Sequence, residues 1–146
     1  MTLQSIGVAT AAVLSFAAGS LLTGELTRAQ NVRAAGDRVF ELRVYHTLPG
    51  RLPALQANFR DHNISFLKKH GITNIGYWIP QDSPASGNTL IFLLAHDSRE
   101  SATAHWKEFL ADPEWQKFAK ASVADGEILE KIESTYMTPT DYSDLK

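Results

Sequence analysis

The sequence contains no cysteine. That excludes a disulfide framework, a thiolate zinc site, an iron–sulfur cluster and a cysteine nucleophile. Positive charge is not in surplus: 14 Lys and Arg stand against 16 Asp and Glu, a formal net charge of −2. A protein that grips nucleic acid through bulk charge needs Lys and Arg in excess to neutralise phosphates, so no nucleic-acid partner is expected. No phosphate-cradling glycine motif or nucleophile elbow occurs, and the glycines from Gly71 to Gly76 are wrongly spaced for a dinucleotide fingerprint. His105 and Glu108 share a helix face at i, i+3, but a metal site needs three or four ligands and no partner pair is visible. No dedicated metal site is expected. What is present is enough apolar residue, 44% of 146, to build one packed core.

Long hydrophobic runs are also scarce. Ile6 to Leu22 carries no charge and is rich in Ala, Val and Leu. About 7–15 such residues make the core of a signal peptide and about 20 are needed to span a bilayer, so this run falls between them. One reading is a signal peptide cut after Ala29, although Thr27 is not the ideal small residue at −3. The other is an uncleaved membrane anchor. Arg28, Arg33 and Arg38 follow the run and would tend to hold that side in the cytoplasm, which speaks against export. The expected organisation is a leader or anchor at 1–29, a linker at 30–38 and a folded domain at 39–146. The protein is then secreted or periplasmic, or alternatively membrane-anchored through this segment alone.

The domain reads β-α-β-β-α-α-β. Val39 to His46 alternates, with Phe40, Leu42 and Val44 on one side and Glu41, Arg43 and Tyr45 on the other, a strand with one apolar face. Leu52, Leu55, Phe59, His62 and Phe66 recur at helical spacing up to the stop at Gly71. Ile72 to Ile79 is a second strand, Gln81 to Asn88 a loop, and Thr89 to His96 a third strand apolar on both faces, hence central. Asp97 and Glu100 resemble a capping box opening a helix with Ala102, Trp106, Phe109 and Leu110. Asp112 and Pro113 start a further helix, Gly126 breaks it, and Ile128 to Met137 is the last strand.

That order predicts an α+β domain of ferredoxin-like β-α-β-β-α-β type, a four-stranded antiparallel sheet with its helices on one face. The other face needs solvent or a partner. With the apolar side of the first strand turned to the helices, Glu41, Arg43 and Tyr45 are expected on the uncovered side. A second copy packed sheet to sheet would cover them by symmetry.

The segment Val39–Lys146 resembles the NIPSNAP family. The matching stretches include Phe40-Glu41-Leu42-Arg43-Val44-Tyr45 with Pro49-Gly50, then Phe59-Arg60-Asp61-His62 and His70 through Trp78. Asn88-Thr89-Leu90-Ile91, Ala95 through Glu100, Asp112-Pro113-Glu114-Trp115 and Thr138 through Ser143 follow in order. The resemblance implies the dimeric α+β-barrel superfamily, in which two ferredoxin-like subunits press their sheets together. Relatives there include cofactor-free monooxygenases and haem proteins. The family itself has no settled activity, so the resemblance implies a fold and a homodimer more than a reaction.

Several residues are candidates for chemistry. Glu41, Arg43 and Tyr45 share a strand face and form either the polar wall of a cavity or a structural ion pair with a tyrosine anchor. In the first case Glu41 is a base, Arg43 an anion clamp and Tyr45 a hydrogen-bond donor. His62, on the apolar stripe of the first helix, is a general base, an axial haem ligand or a core imidazole bonded to a backbone carbonyl. His96 ends the third strand beside Asp97, and a strand end opening onto helices is a usual pocket rim. Trp78, Trp106 and Trp115 with Phe66 line an apolar ligand pocket or simply fill the core. No cofactor is expected, with haem left open.

Two functions follow. One is a small-molecule enzyme or binder, monooxygenase-like, for an apolar or aromatic compound, in which His62→Ala abolishes ligand binding. The other is a non-catalytic interaction module, secreted or tethered, with no enclosed cavity.

Overall fold

The computed structural model describes residues 38–146. The leader or anchor expected at 1–29, and all of the linker except Arg38, lie outside the described residues. The elements are β1 (Val39–Thr47), α1 (Leu52–Asn58), a π-helical turn (Phe59–Asn63), α2 (Ile64–Lys69), β2 (Thr73–Trp78), a 3₁₀ turn (Ala85–Gly87), β3 (Thr89–His96), α3 (Arg99–Ala111), α4 (Pro113–Ser122) and β4 (Leu129–Met137). The expected order is the observed one, except that the first helix is interrupted by the π turn.

Local signals account for most boundaries. Gly71 ends α2 with φ +73°, a left-handed conformation that a side chain disfavours. A Cβ there would also be crowded, 3.1 Å from the His105 ring. The cap of α3 sits one residue later than expected. Ser98, with extended backbone, bonds Ser101 reciprocally at 3.1 and 2.9 Å, so two hydroxyls satisfy the groups assigned to Asp97 and Glu100. Asp112 caps α4 as expected, accepting from the Glu114 amide at 2.8 Å ahead of Pro113. The same carboxylate accepts from His70 at 2.8 Å and Lys69 at 2.9 Å. These two partners hold it well below the usual carboxylate range and tie the end of α2 to the start of α4.

The sheet order is β2-β3-β1-β4 with every neighbouring pair antiparallel. This is the ferredoxin-like α+β arrangement, with β1 and β3 central. Register sorts the faces. Glu41 stands opposite Leu94 and Tyr136, Arg43 opposite Phe92 and Ser134, and Tyr45 opposite Leu90 and Ile132. These side chains, with buried Leu55, Phe59, Leu67 and Phe109 from the helices, enclose the space between sheet and helices.

The expected orientation of β1 is therefore reversed. Glu41, Arg43 and Tyr45 face the helices, and Leu42 and Val44 face away. On that open side Leu42, Val44, Ile91 and Leu93 are half-buried, while Phe92 and Leu94, which point the other way, are fully buried. Trp78 lies on the open side across Gly76, whose Cβ would come within 2.6 Å of the indole, and is 52% exposed. The polar side of β1 can turn inward because its charges find partners there, which the alternation of a single strand does not encode. Among the described residues, no helix is long and apolar enough to cross a membrane.

Candidate functional site

Between the helices and the sheet lies a cavity of about 1000 Å³, partly open to solvent. Its polar centre is a carboxylate. Glu41 is fully buried and accepts four side-chain hydrogen bonds. Arg43 Nη1 and Ser134 Oγ donate to Oε1 at 2.8 and 2.7 Å, and His96 Nε2 and Trp106 Nε1 donate to Oε2 at 3.1 and 2.7 Å. Burial alone would raise its pKa. The bonds from His96, Ser134 and Trp106, with the charge of Arg43, outweigh burial and lower it from 4.5 to about 2. Four donors and the lowered pKa make this carboxylate a weak proton acceptor, which weighs against the base role considered for it. It positions its four donors instead.

Arg43 is held on three sides. Glu41 takes Nη1, the Trp106 ring lies 4.3 Å from the guanidinium carbon and the Tyr45 ring 5.4 Å. Its Nε is buried and bonds nothing, and the side chain keeps 14% exposure on the cavity wall. Tyr45 packs edge-on to Phe59 and Phe92, and burial pushes its phenol above the ordinary value. Tyr45 lines the cavity together with Phe59 and Phe92.

The expected histidines are elsewhere. His96 is completely buried behind Glu41, with Nδ1 unbonded, and does not line the cavity. His62 is exposed and packs on Phe118, with ring centroids 4.3 Å apart and the planes tilted by 38°. The π turn explains the second displacement. Leu55, Phe59, Asn63 and Leu67 line the cavity at a constant spacing of four. In an unbroken α-helix such a series drifts by ~40° per step. The wider π turn takes back that drift and presents Asn63 where a 3.6-residue stripe would present His62. Phe66 moves out of the lining for the same reason and packs near Phe118 at 6.2 Å. Trp78 belongs to the open sheet face. Trp106 and Trp115 do line the cavity.

The residues that pattern reading missed are Asn63, Ser134 and Tyr136 on the wall and Arg99 beside Tyr136. Asn63 Oδ1 is buried without a partner, and the Arg99 guanidinium lies 3.3 Å from the Tyr136 ring centroid. A polar residue next to a regular histidine stripe gave no signal without knowledge of the π turn. A haem in this cavity would need an axial ligand. Neither His62 nor His96 lines the cavity, so neither is placed to be that ligand. Among the described residues, no group of three or more His, Cys, Asp or Glu could hold a metal ion.

Comparison with known proteins fits the fold. A NIPSNAP family protein of unknown function from Agrobacterium tumefaciens is 25% identical, with 76% of this chain and 96% of that one covered and a TM-score of 0.66. An uncharacterised NIPSNAP-like domain protein from Burkholderia xenovorans is 20% identical over 74% of this chain and 90% of that one, with a TM-score of 0.65. A Streptomyces coelicolor monooxygenase, solved with nanaomycin D, is 14% identical over 77% and 95%, with a TM-score of 0.53, and shares the fold. No curated protein matches. The NIPSNAP family model matches residues 40–144. With this match over most of its length, the chain belongs to the NIPSNAP family.

Proposed function

We propose that this protein binds a small apolar or aromatic molecule in the cavity between its sheet and helices. One observation carries the reading: a cavity of about 1000 Å³ lined by Phe59, Phe92, Trp106, Trp115 and Phe118, with a few fixed polar groups. Ligand sites are of this size and character. A module acting only through its surface has no use for such a space.

The same residues favour binding over acid–base turnover. Glu41 is saturated, His96 is sealed behind it and His62 lies outside. Arg43 and Tyr45 remain on the wall as a fixed cation and a phenol ring. Monooxygenase-like transformation is the enzymatic version of this reading. Its support is the shared fold of the Streptomyces coelicolor enzyme, which is analogy.

A homodimer goes with it. The open sheet face carries Leu42, Val44, Ile91, Leu93 and half-exposed Trp78, an apolar surface that a second copy would bury by two-fold symmetry. Export through the N-terminal segment is the accompanying proposal, and its support is the run Ile6–Leu22.

Native mass spectrometry of the full-length gene product from an exporting host tests all three. A dimer carrying extra mass and beginning at Gln30 is the expected result. A dimer without extra mass, and unable to take up added aromatic compounds, would overturn the ligand reading in favour of an interaction module.

A further inference from the structure

The cavity is not uniform along its length. Arg43 and Arg99 stand near the Glu41–Tyr136 end, and Lys107 lines it two turns along the same face of α3. Glu127 lies beyond the start of β4 at the opposite end. Six register positions of β1 separate the ends, about 20 Å. Toward the Glu127 end the lining is Leu55, Phe59, Phe118, Ile128 and Ile132.

The cations are not equally committed. Among the described residues Arg99 and Lys107 make no ion pair, although the neighbouring Glu100 carboxylate feels the charge of Arg99, and the carboxylate on the cavity wall beside Arg43, Glu41, is fully buried. Arg43 spends one nitrogen on Glu41, and its plane is fixed between two aromatic rings. A ligand entering from solvent meets these cations, while the carboxylate that compensates Arg43 already has both oxygens engaged by its four donors. Preorganised donors cost little to engage, and arginine matches carboxylate and similar oxyanions in geometry.

We propose that the ligand is an amphipathic organic acid, its anionic group held by Arg43 and Arg99 and its apolar body laid toward Phe59, Phe118 and Ile132. This rests on the cavity-binding reading and names the chemical class it takes.

Two fluorescent probes separate the ideas. 1-Anilinonaphthalene-8-sulfonate and N-phenyl-1-naphthylamine share one skeleton and differ by the sulfonate. A purely apolar cavity would favour the neutral amine, because the sulfonate must be desolvated. Titrated into the full chain, the sulfonate is expected to bind at least tenfold tighter than the amine. That preference should shrink at least fivefold in Arg99→Gln, an exposed substitution, and further in Arg43→Gln. It should also weaken with added salt. Binding of both probes without preference for the sulfonate would overturn the acid and leave the cavity reading standing. A preference unchanged in Arg99→Gln, and in Arg43→Gln where that variant folds, would also overturn it, since the anion would be read elsewhere. Binding of neither probe would overturn both readings.

Discussion

The two faces of the sheet solve opposite problems. The face under the helices carries the charge: Glu41 and Arg43 lie there with Tyr45, and four donors converge on one carboxylate. The open face carries aliphatic side chains and a tryptophan. A lone domain would be expected to do the reverse. A polar group under the helices is tolerable when its bonds are complete, and an apolar face is tolerable when something covers it. On the proposed reading the interior is a binding chamber and the outer sheet a joint.

The largest effect should come from the carboxylate. Glu41→Gln places an amide donor against donors and strands Arg43, so it should cost about 3–5 kcal/mol in chemical denaturation. The pH dependence has a definite sign. Because Glu41 is lowered from 4.5 to about 2, its contribution is full above about pH 4.5 and is lost as pH falls toward 2, on the order of 3 kcal/mol. Glu41→Gln should flatten that limb of the profile. An equally steep acid limb in the variant would assign it to other groups.

The open face is tested by Leu93→Lys. If a second copy covers it, an unpaired charge in the joint should raise the dimer dissociation constant by about a hundredfold or more in sedimentation analysis. A dimer of unchanged affinity would move the joint elsewhere. Between the faces in magnitude is Trp106→Phe. It keeps the ring over Arg43 but removes the indole N–H bonded to Glu41 at 2.7 Å, a loss of about 1.5–3 kcal/mol by thermal unfolding. A neutral result would mean that Glu41 is satisfied without it. The smallest effect belongs to His62→Ala. The residue is exposed and outside the cavity, so stability should change by about 0.5 kcal/mol or less and binding of N-phenyl-1-naphthylamine should persist. Loss of binding would restore the histidine to the site.

The element order, the antiparallel sheet and the inward Trp106 and Trp115 were legible because alternation and helical spacing are local. The facing of β1 was not. Its polar side is inward because His96, Trp106 and Ser134 meet Glu41 across 55, 65 and 93 residues of chain, and no pattern within a strand records that. The exchange of His62 for Asn63 was hidden for a different reason. One wide turn resets the phase of a helix, and its residues look like any others. Trp78 was assigned by its aromatic character alone, which does not distinguish a chamber from a joint.

The placement of the tryptophans has an optical consequence. Trp78 lies on the open face, half in solvent, and Trp106 and Trp115 border the cavity. The indoles are thus native labels for separate events. If copies join through the open face, leaving Trp78 as the sole emitter would report that association through a blue shift and shielding from acrylamide. Leaving Trp106 and Trp115 would report filling of the chamber, so one concentration series could time assembly against uptake without a foreign dye.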